Sequence, residues 1–305
     1  MLVRKDDGVT LILYMKGLIV VNAYAQTTET RQVVRLREEL LRLGVAADVM
    51  RNNGFFARVA DNGKCAERLR SYDFCIYLDK DKYASCVLSK HMRLFNSAAA
   101  IESCDDKMTT HILLSDSGIP MPPTIAGLLC YDKTAQIPDC AVDSVIDALG
   151  LPVIVKQAYG SMGSGVFKAN TKKQLKALMQ KFKCEPHLFQ QYIQSSDGRD
   201  LRVIVVGGKV LGGIQRRSNG DFRSNIGLGG SATAVPVPLT VQDYALKAAQ
   251  TLGLDYCGID FLYGTDDKSF YLCEVNSNAF FDAFEGATNI NVAGAYAQYI
   301  IDILN

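Results

Sequence analysis

The chain lacks most of the patterns that announce a chemistry. Its nine cysteines (65, 75, 86, 104, 130, 140, 184, 257 and 273) include no C-x-x-C pair and stand near no histidine cluster. Neither a zinc site nor a disulfide framework is signalled, and an odd number of scattered thiols fits a reducing, cytoplasmic setting. Only three histidines occur, His91, His111 and His187, and no Ser/His/Asp or Cys/His arrangement emerges around them. Lys+Arg 33 against Asp+Glu 32 leaves no bulk charge to attract nucleic acid. No apolar run reaches the roughly 18 residues that span a bilayer, and there is no internal repeat or low-complexity segment. The Rossmann G-x-G-x-x-G and the P-loop are both absent.

What is present is an ordinary globular composition, with 48% apolar and 21% charged residues in 305, enough chain for two or three lobes of about 100 residues each. Arg4 and Lys5 precede an apolar stretch ending in Ala23-Tyr24-Ala25, which superficially resembles a secretory signal. Asp6, Asp7 and Lys16 interrupt it, and Gly17–Asn22 reads better as a buried first strand. Met15 is a candidate natural start.

Val33, Leu36, Leu40 and Leu43 recur at helical spacing within Glu29–Leu43, and Gly44 stops the helix. Strands are expected at Ala46–Met50 and Phe74–Leu78, giving a βαβ-type lobe over 15–97. A helix over Asp105–Ser117 ends at Gly118-Ile119-Pro120, and a second lobe is expected over 98–187. There Leu151–Lys156 forms a buried strand that opens into the glycine loop Gly160–Gly165, with Val166–Lys168 returning. The third lobe, 188–305, is α+β: strands at Leu201–Val206, Lys209–Gln215, Gly258–Tyr263 and Ser269–Val275, with helices at Val241–Leu252 and Gly294–Leu304.

The glycine loop offers exposed backbone N–H groups to a polyphosphate, although a flexible hairpin turn would look the same. Lys156 just before it, and Lys107 beside Asp105 and Asp106, can add fixed positive charge; single lysines are usually only solvated. Asp260 and Glu274 lie on apolar strands, where a carboxylate is costly unless something compensates it. With Asn276, on Glu274's face, they form an oxygen set of the kind magnesium shares with phosphates, or else strand ends facing water. Arg202 follows Asp200 by two, and Arg216, Arg217 and Arg223 gather around Gly220–Asn225, either as phosphate forks or as a solvated hairpin tip.

Taken in order, Asp106-Lys107, Val155-Lys156, Gln190-Gln191-Tyr192-Ile193, Asp200-Leu201-Arg202, Gly220–Asn225 with Gly229-Gly230, Gly258-Ile259-Asp260 and Glu274-Val275-Asn276 resemble the RimK-like branch of the ATP-grasp ligases, from about residue 94 onward. The resemblance implies an α/β ATP-grasp fold with a Rossmann-like N-terminal lobe. It implies an ATP whose adenine meets Gln190, Gln191, Tyr192 and Ile193, whose ribose meets Asp200, and whose phosphates meet Lys107 and Lys156. Gly160–Gly165, Gly163 included, would be a closing flap. Arg223, Ser224 and Asn225 would line the transfer site, and Asp260, Glu274 and Asn276 would hold two magnesium ions, for which manganese can substitute. The implied reaction joins a carboxylate, activated as an acyl phosphate, to an amine, with Arg202, Arg223 and Lys156 as catalytic residues and an amino acid such as glutamate added to a small molecule or peptide end. Dipeptide formation, peptide modification and non-catalytic ATP binding are the alternatives; a cytoplasmic homo-oligomer is compatible with the resemblance. Two departures stand out: Gln191 replaces a commonly acidic hinge residue, and Ser277–Phe281 replaces a small, proline-containing segment. Phe280, Phe281 and Phe284 suggest a more apolar substrate pocket than in glutamate-adding members.

Overall fold

The computed structural model of the protein describes residues 2–6, 9–13, 15–55, 64–161, 163–224 and 230–305. Leu2–Asp6 (β1) and Val9–Leu13 (β2) pair antiparallel. A parallel sheet follows, with strands β3 (Met15–Val21), β4 (Val45–Arg51), β5 (Phe74–Leu78) and β6 (Arg93–Phe95) in the order β4-β3-β5-β6. Between β3 and β4, helix α1 (Arg31–Arg42) starts where the Thr30 hydroxyl accepts from Val33 N at 3.4 Å, and it buries Val33, Leu36 and Leu40. Gly44, at φ +80°, turns the chain into β4 at little steric cost. Helices α2 (Lys64–Leu69) and α3 (Lys82–Leu88) complete this lobe.

Ahead of the helix expected over Asp105–Ser117 stands another, α4 (Ala98–Asp105); the expected one is α5 (Lys107–Leu114), closed by a 3₁₀ turn at Ser115–Ser117. Asp106 divides them, because its extended backbone ends the first while its carboxylate caps the second, accepting from Met108 N at 2.9 Å and Thr109 N at 3.1 Å.

A four-stranded antiparallel sheet comes next, built from β7 (Thr124–Ala126), β8 (Val153–Gln157), β9 (Val166–Ala169) and β10 (His187–Gln191) in the order β7-β10-β8-β9. Helices α6 (Asp139–Leu149) and α7 (Lys172–Phe182) cover the face that carries Val153, Val155 and Phe189. Strand alternation therefore turns Ile154 and Lys156 the other way.

The last sheet has five antiparallel strands, β11 (Arg199–Val206), β12 (Lys209–Arg217), β13 (Ser231–Val235), β14 (Tyr256–Tyr263) and β15 (Phe270–Asn276), in the order β13-β12-β11-β14-β15. Leu201, Val203, Val205, Ile259 and Phe261 pack under α8 (Leu239–Thr251). The opposite face is divided. Ile204, Val206 and Ile214 share a core with α1, α9 (Asp282–Thr288) and α10 (Val292–Leu304), while Asp200, Arg216 and Asp260 border the small sheet.

The expected lobe boundaries shift accordingly. The small sheet runs from Thr124 to Gln191, so a division at 187/188 would cut β10 at its first residue. Ala100, Cys104 and Leu114 bury against the large sheet, so α4 and α5 pack with that sheet and not with the strands that follow them. No helix among the described residues is long and apolar enough to cross a membrane.

Asn96 ties the N-terminal lobe to the large sheet. Its Nδ2 donates to Tyr256 O and Ser277 O, each at 2.7 Å, and its Oδ1 accepts from Asp255 N at 2.6 Å and Tyr256 N at 2.9 Å. The side chain is buried, so Asn96→Ala strands four backbone groups. A loss of at least about 3 kcal/mol is expected, since each unmet buried group costs roughly 1–3 kcal/mol; a lower urea midpoint at unchanged slope would show it.

Candidate active-site cleft

Cross-strand register sets charged residues face to face on the large sheet. Asp200 on β11 is opposite Arg216 on β12, Arg202 on β11 is opposite Asp260 on β14, and Asp260 is opposite Glu274 on β15. Arg216 donates Nε to Asp200 Oδ1 at 2.8 Å and a second nitrogen to Asp200 Oδ2, and reaches Asp260 Oδ2 at 2.9 Å. Arg202 forks onto Asp260 through Nε and Nη2, both at 2.7 Å. Such charges are tolerable out of water only when each finds its complement. Burial acts to raise the Asp260 carboxyl, yet Arg202 and Arg216 outweigh it and hold the group below the ordinary range. Burial likewise acts to lower Arg216, and the two carboxylates raise it instead.

Glu274 reaches this face through an irregularity. Asp260 pairs with Glu274 while Phe261 pairs with Leu272, so Cys273 is an extra residue in β15. The bulge explains how Leu272 and Val275, three apart, enter one core while Glu274 turns to the cleft.

Opposite the ladder stands the small sheet. Lys156 on β8 and Lys107 at the start of α5 are 7% and 8% exposed, unlike solvated lysines. Lys107 Nζ lies 3.7 Å from Glu274 Oε1 and donates to Gly160 O at 2.9 Å; burial lowers its pKa against the pull of Glu274. Lys156 Nζ is 3.4 Å from Cys273 Sγ. Arg223 Nη1 donates to Gly163 O at 2.7 Å, and Asp221 holds the same guanidinium through Oδ1 at 3.0 Å and Oδ2 at 2.7 Å. Gly160 and Gly163 have φ of +137° and +74°, where a side chain would strain the backbone. Two cations thus clasp the glycine loop by its carbonyls over a cleft of roughly 900 Å³.

Of the residues expected from sequence, Lys107, Lys156, Gly163, Gln190, Gln191, Tyr192, Ile193, Asp200, Arg223, Ser224, Asp260 and Glu274 all line this cleft. Asn225 lies outside the described residues. Arg202 and Asn276 are not in the lining; Arg202 stands behind Asp260, and Asn276 Nδ2 is 3.5 Å from Asp260 Oδ2. Asp200, assigned to ribose by resemblance, gives both oxygens to Arg216 and the second also to the Ser224 hydroxyl. Arg216 is no hairpin-tip charge but the buried centre of the ladder. Its two-residue offset from Ile214, a core residue of the same face, was the signal available in sequence. Of the three phenylalanines read as pocket residues, Phe281 and Phe284 are core, with Phe281 set edge-on against Tyr256; only Phe280, 59% exposed, faces outward.

An oxygen-only set of Asp260, Glu274 and Asn276 suits magnesium that also takes phosphate and water ligands. Glu274 fits, being half-exposed and paired only loosely with Lys107. Asp260 fits as a shared ligand, because among the described residues Oδ1 accepts only from Arg202 Nε and retains a lone pair. Among the described residues no three His, Cys, Asp or Glu side chains form a ligand cluster.

Behind the cleft, Gln190 Nε2 lies 2.9 Å from Thr124 Oγ1 and 3.2 Å from His111 Nε2. Burial, reinforced by the charge of Lys156, pulls the His111 imidazole down to about 4. An unfolded histidine titrates near about 6.5, so between those values the unfolded chain binds the extra proton. Stability should therefore fall as pH drops from 6.5 to 4, by about 3 kcal/mol from this residue, and level off below. His111→Gln is expected to remove that share of the slope, measured as the wild-type minus variant unfolding free energy across this range.

The family model of the RimK-like ATP-grasp domain matches residues 104–300. N-acetylaspartylglutamate synthase A of Homo sapiens is 37% identical over 214 residues, which are 70% of this chain and 53% of that protein. A probable alpha-L-glutamate ligase of Citrobacter koseri is 35% identical over 208 residues, 67% of this chain and 66% of that one. The chain thus spans about half the length of the human protein it matches. Among solved structures, the ATP-grasp ligase PsnB, complexed with a phosphomimetic variant of its minimal precursor, Mg and ADP, superposes with a TM-score of 0.68 at 19% identity, covering 96% of this chain and all of that one. The charge ladder, the buried lysines and the glycine loop all fall inside the matched region, and the chain belongs to the RimK-like ATP-grasp family.

Proposed function

We propose that this chain is an ATP-dependent carboxylate–amine ligase. The observation that carries the reading is the convergence on one cleft of two buried lysines, a glycine loop and an arginine–carboxylate ladder, with no serine or cysteine paired to a histidine among the described lining residues. The thiol in the wall, Cys273, is pushed up by burial and is a poor thiolate. Chemistry here is positioning and charge neutralisation, as phosphoryl transfer requires.

In this reading Gln190–Ile193 meet the adenine, Lys107 and Lys156 meet the phosphates, and the glycine loop lies over them. Phosphate oxygens would take the place that Gly160 O and Gly163 O hold on Lys107 and Arg223. Magnesium held by Glu274, Asp260 and Asn276 would neutralise charge on the terminal phosphates. Arg216 and Arg223 provide the positive field for the transferred phosphoryl group and for the tetrahedral oxyanion that follows. Arg202 acts through Asp260, fixing its carboxylate. The substrate carboxylate attacks the γ-phosphorus and ADP leaves; the amine then attacks the carbonyl carbon of the acyl phosphate, releases a proton to solvent, and phosphate leaves. The names of the relatives point to glutamate as an amine and N-acetylaspartate as a carboxylate to try first.

The test is incubation with magnesium-ATP, free amino acids including L-glutamate, and N-acetylaspartate or short acidic peptides as carboxylates, following phosphate release and product mass. Wild type is expected to give a condensed product with stoichiometric phosphate, and Glu274→Ala to lose at least about 100-fold in kcat. ATP binding without turnover in any mixture would sink the ligase reading. Lys107→Ala is expected to raise KM for ATP about tenfold, the loss of one charge-assisted contact.

A further inference from the structure

Gln190 sits on the cleft face of the small sheet, directly opposite Thr124 of β7 on one side and Ile154 of β8 on the other. It is 2% exposed and lines the cleft together with Ile154 and, from the large sheet, Leu262. Ile154 and Leu262 give a planar base apolar contact; Gln190 adds an amide.

An amide has a donor end and an acceptor end, and which of them meets a ligand depends on what holds the other. Here the donor end is spent behind the wall. The Thr124 hydroxyl donates to Pro122 O at 2.8 Å, which leaves Oγ1 only lone pairs to offer Gln190 Nε2 at 2.9 Å. His111 takes the second place, its Nε2 3.2 Å from the same Gln190 nitrogen. The other ring nitrogen of His111 is 3.2 Å from Met121 Sδ, an acceptor without a proton. The neutral imidazole therefore carries its proton on that side and turns a lone pair on Gln190.

Both N–H bonds of the amide are thus committed. Gln190 Oε1 accepts from no described residue, and it is not among the sealed oxygens, which are Asn278 Oδ1 and Asp282 Oδ1. It opens on the cleft that Gln190 lines, whereas Thr124 and His111 are not in the lining. An oxygen fixed in this way distinguishes the purines. Adenine presents a donor, its 6-amino group, where guanine presents an acceptor, its 6-oxo group. Two acceptors facing each other in a poorly hydrated wall leave both unmet.

We propose that Gln190 selects adenine over guanine through Oε1, and that Thr124 and His111, behind the wall, are positioning residues that hold the amide with this end forward. The inference rests on the nucleotide-binding part of the reading above and adds to it the choice of base and the two residues that set it.

The test is calorimetric binding of the β,γ-imido analogues of ATP and GTP, with magnesium, to wild type, Thr124→Ser and the double variant Thr124→Val/His111→Leu. Wild type is expected to hold the ATP analogue at least about 30-fold more tightly, one hydrogen bond being gained on adenine and two oxygens left unmet on guanine. Thr124→Ser keeps the hydroxyl and should keep that ratio within about twofold. The double variant frees the amide to turn, and its ratio should fall at least about tenfold, with the ATP analogue bound more weakly and the GTP analogue more tightly. A gain for guanine is a change that loosening of the fold does not produce. Wild type supplies a second arm that holds even where the double variant fails to fold. The β,γ-imido triphosphate of purine riboside lacks both the amino and the oxo group, and it is expected to bind at least about fivefold more weakly than the ATP analogue. Equal binding of the ATP and GTP analogues to wild type, an unchanged ratio in the folded double variant, or purine riboside bound as tightly as adenosine overturns the proposal. A wild type that binds none of the three removes the nucleotide reading and this inference with it. Selective binding without turnover in the ligase assay removes the ligase reading and leaves base selection in place.

Discussion

The cleft depends on a buried alternation of charge, Arg216 between Asp200 and Asp260, with Arg202 clamping Asp260 from the other side. Removing one member of a buried pair costs about 3–5 kcal/mol because its partner is stranded. The ladder therefore holds only if three strands keep their register. The antiparallel order β12-β11-β14 supplies that, since each charge lies directly opposite its complement. The cores on both faces keep the strands from slipping.

From this constraint the rest of the cleft follows. Because Arg202 and Arg216 neutralise Asp260, Glu274 is the carboxylate left accessible at the end of the row, and the extra residue Cys273 turns it outward. Facing it, Lys107 and Lys156 keep their ammonium groups in a poorly hydrated wall and reach a carboxylate, a carbonyl and a sulfur. The glycine loop is tied to both sides, to Lys107 by Gly160 and to Arg223 by Gly163.

Much of this was legible. Strands such as Phe74–Leu78 and the hairpin around the glycine loop announce themselves by apolar runs broken by glycine, and α1 by three- and four-residue spacing. Asp260 and Glu274 stood out because charge on an apolar strand needs compensation, Lys156 and Lys107 by their places before the glycine loop and beside Asp105 and Asp106. What escaped were the helix α4 ahead of α5, the membership of β10 in the small sheet, the burial of Phe281 and Phe284, and the central place of Arg216, marked only by its offset from Ile214. Each is settled by which distant element packs alongside.

Residue order alone determined the periodicities, the turn positions and the set of chemically capable side chains, since these depend on neighbours a few residues away. Tertiary structure decided which charges meet. Asp200 and Arg216 are 16 residues apart, Arg202 and Asp260 are 58, and Lys107 and Glu274 lie on a helix and a strand of different parts of the chain. The same aspartate could have been a free ligand or an arginine's partner. Desolvation and strand register, which exist only in the folded sheet, made Asp200 and Asp260 partners and left Glu274 open.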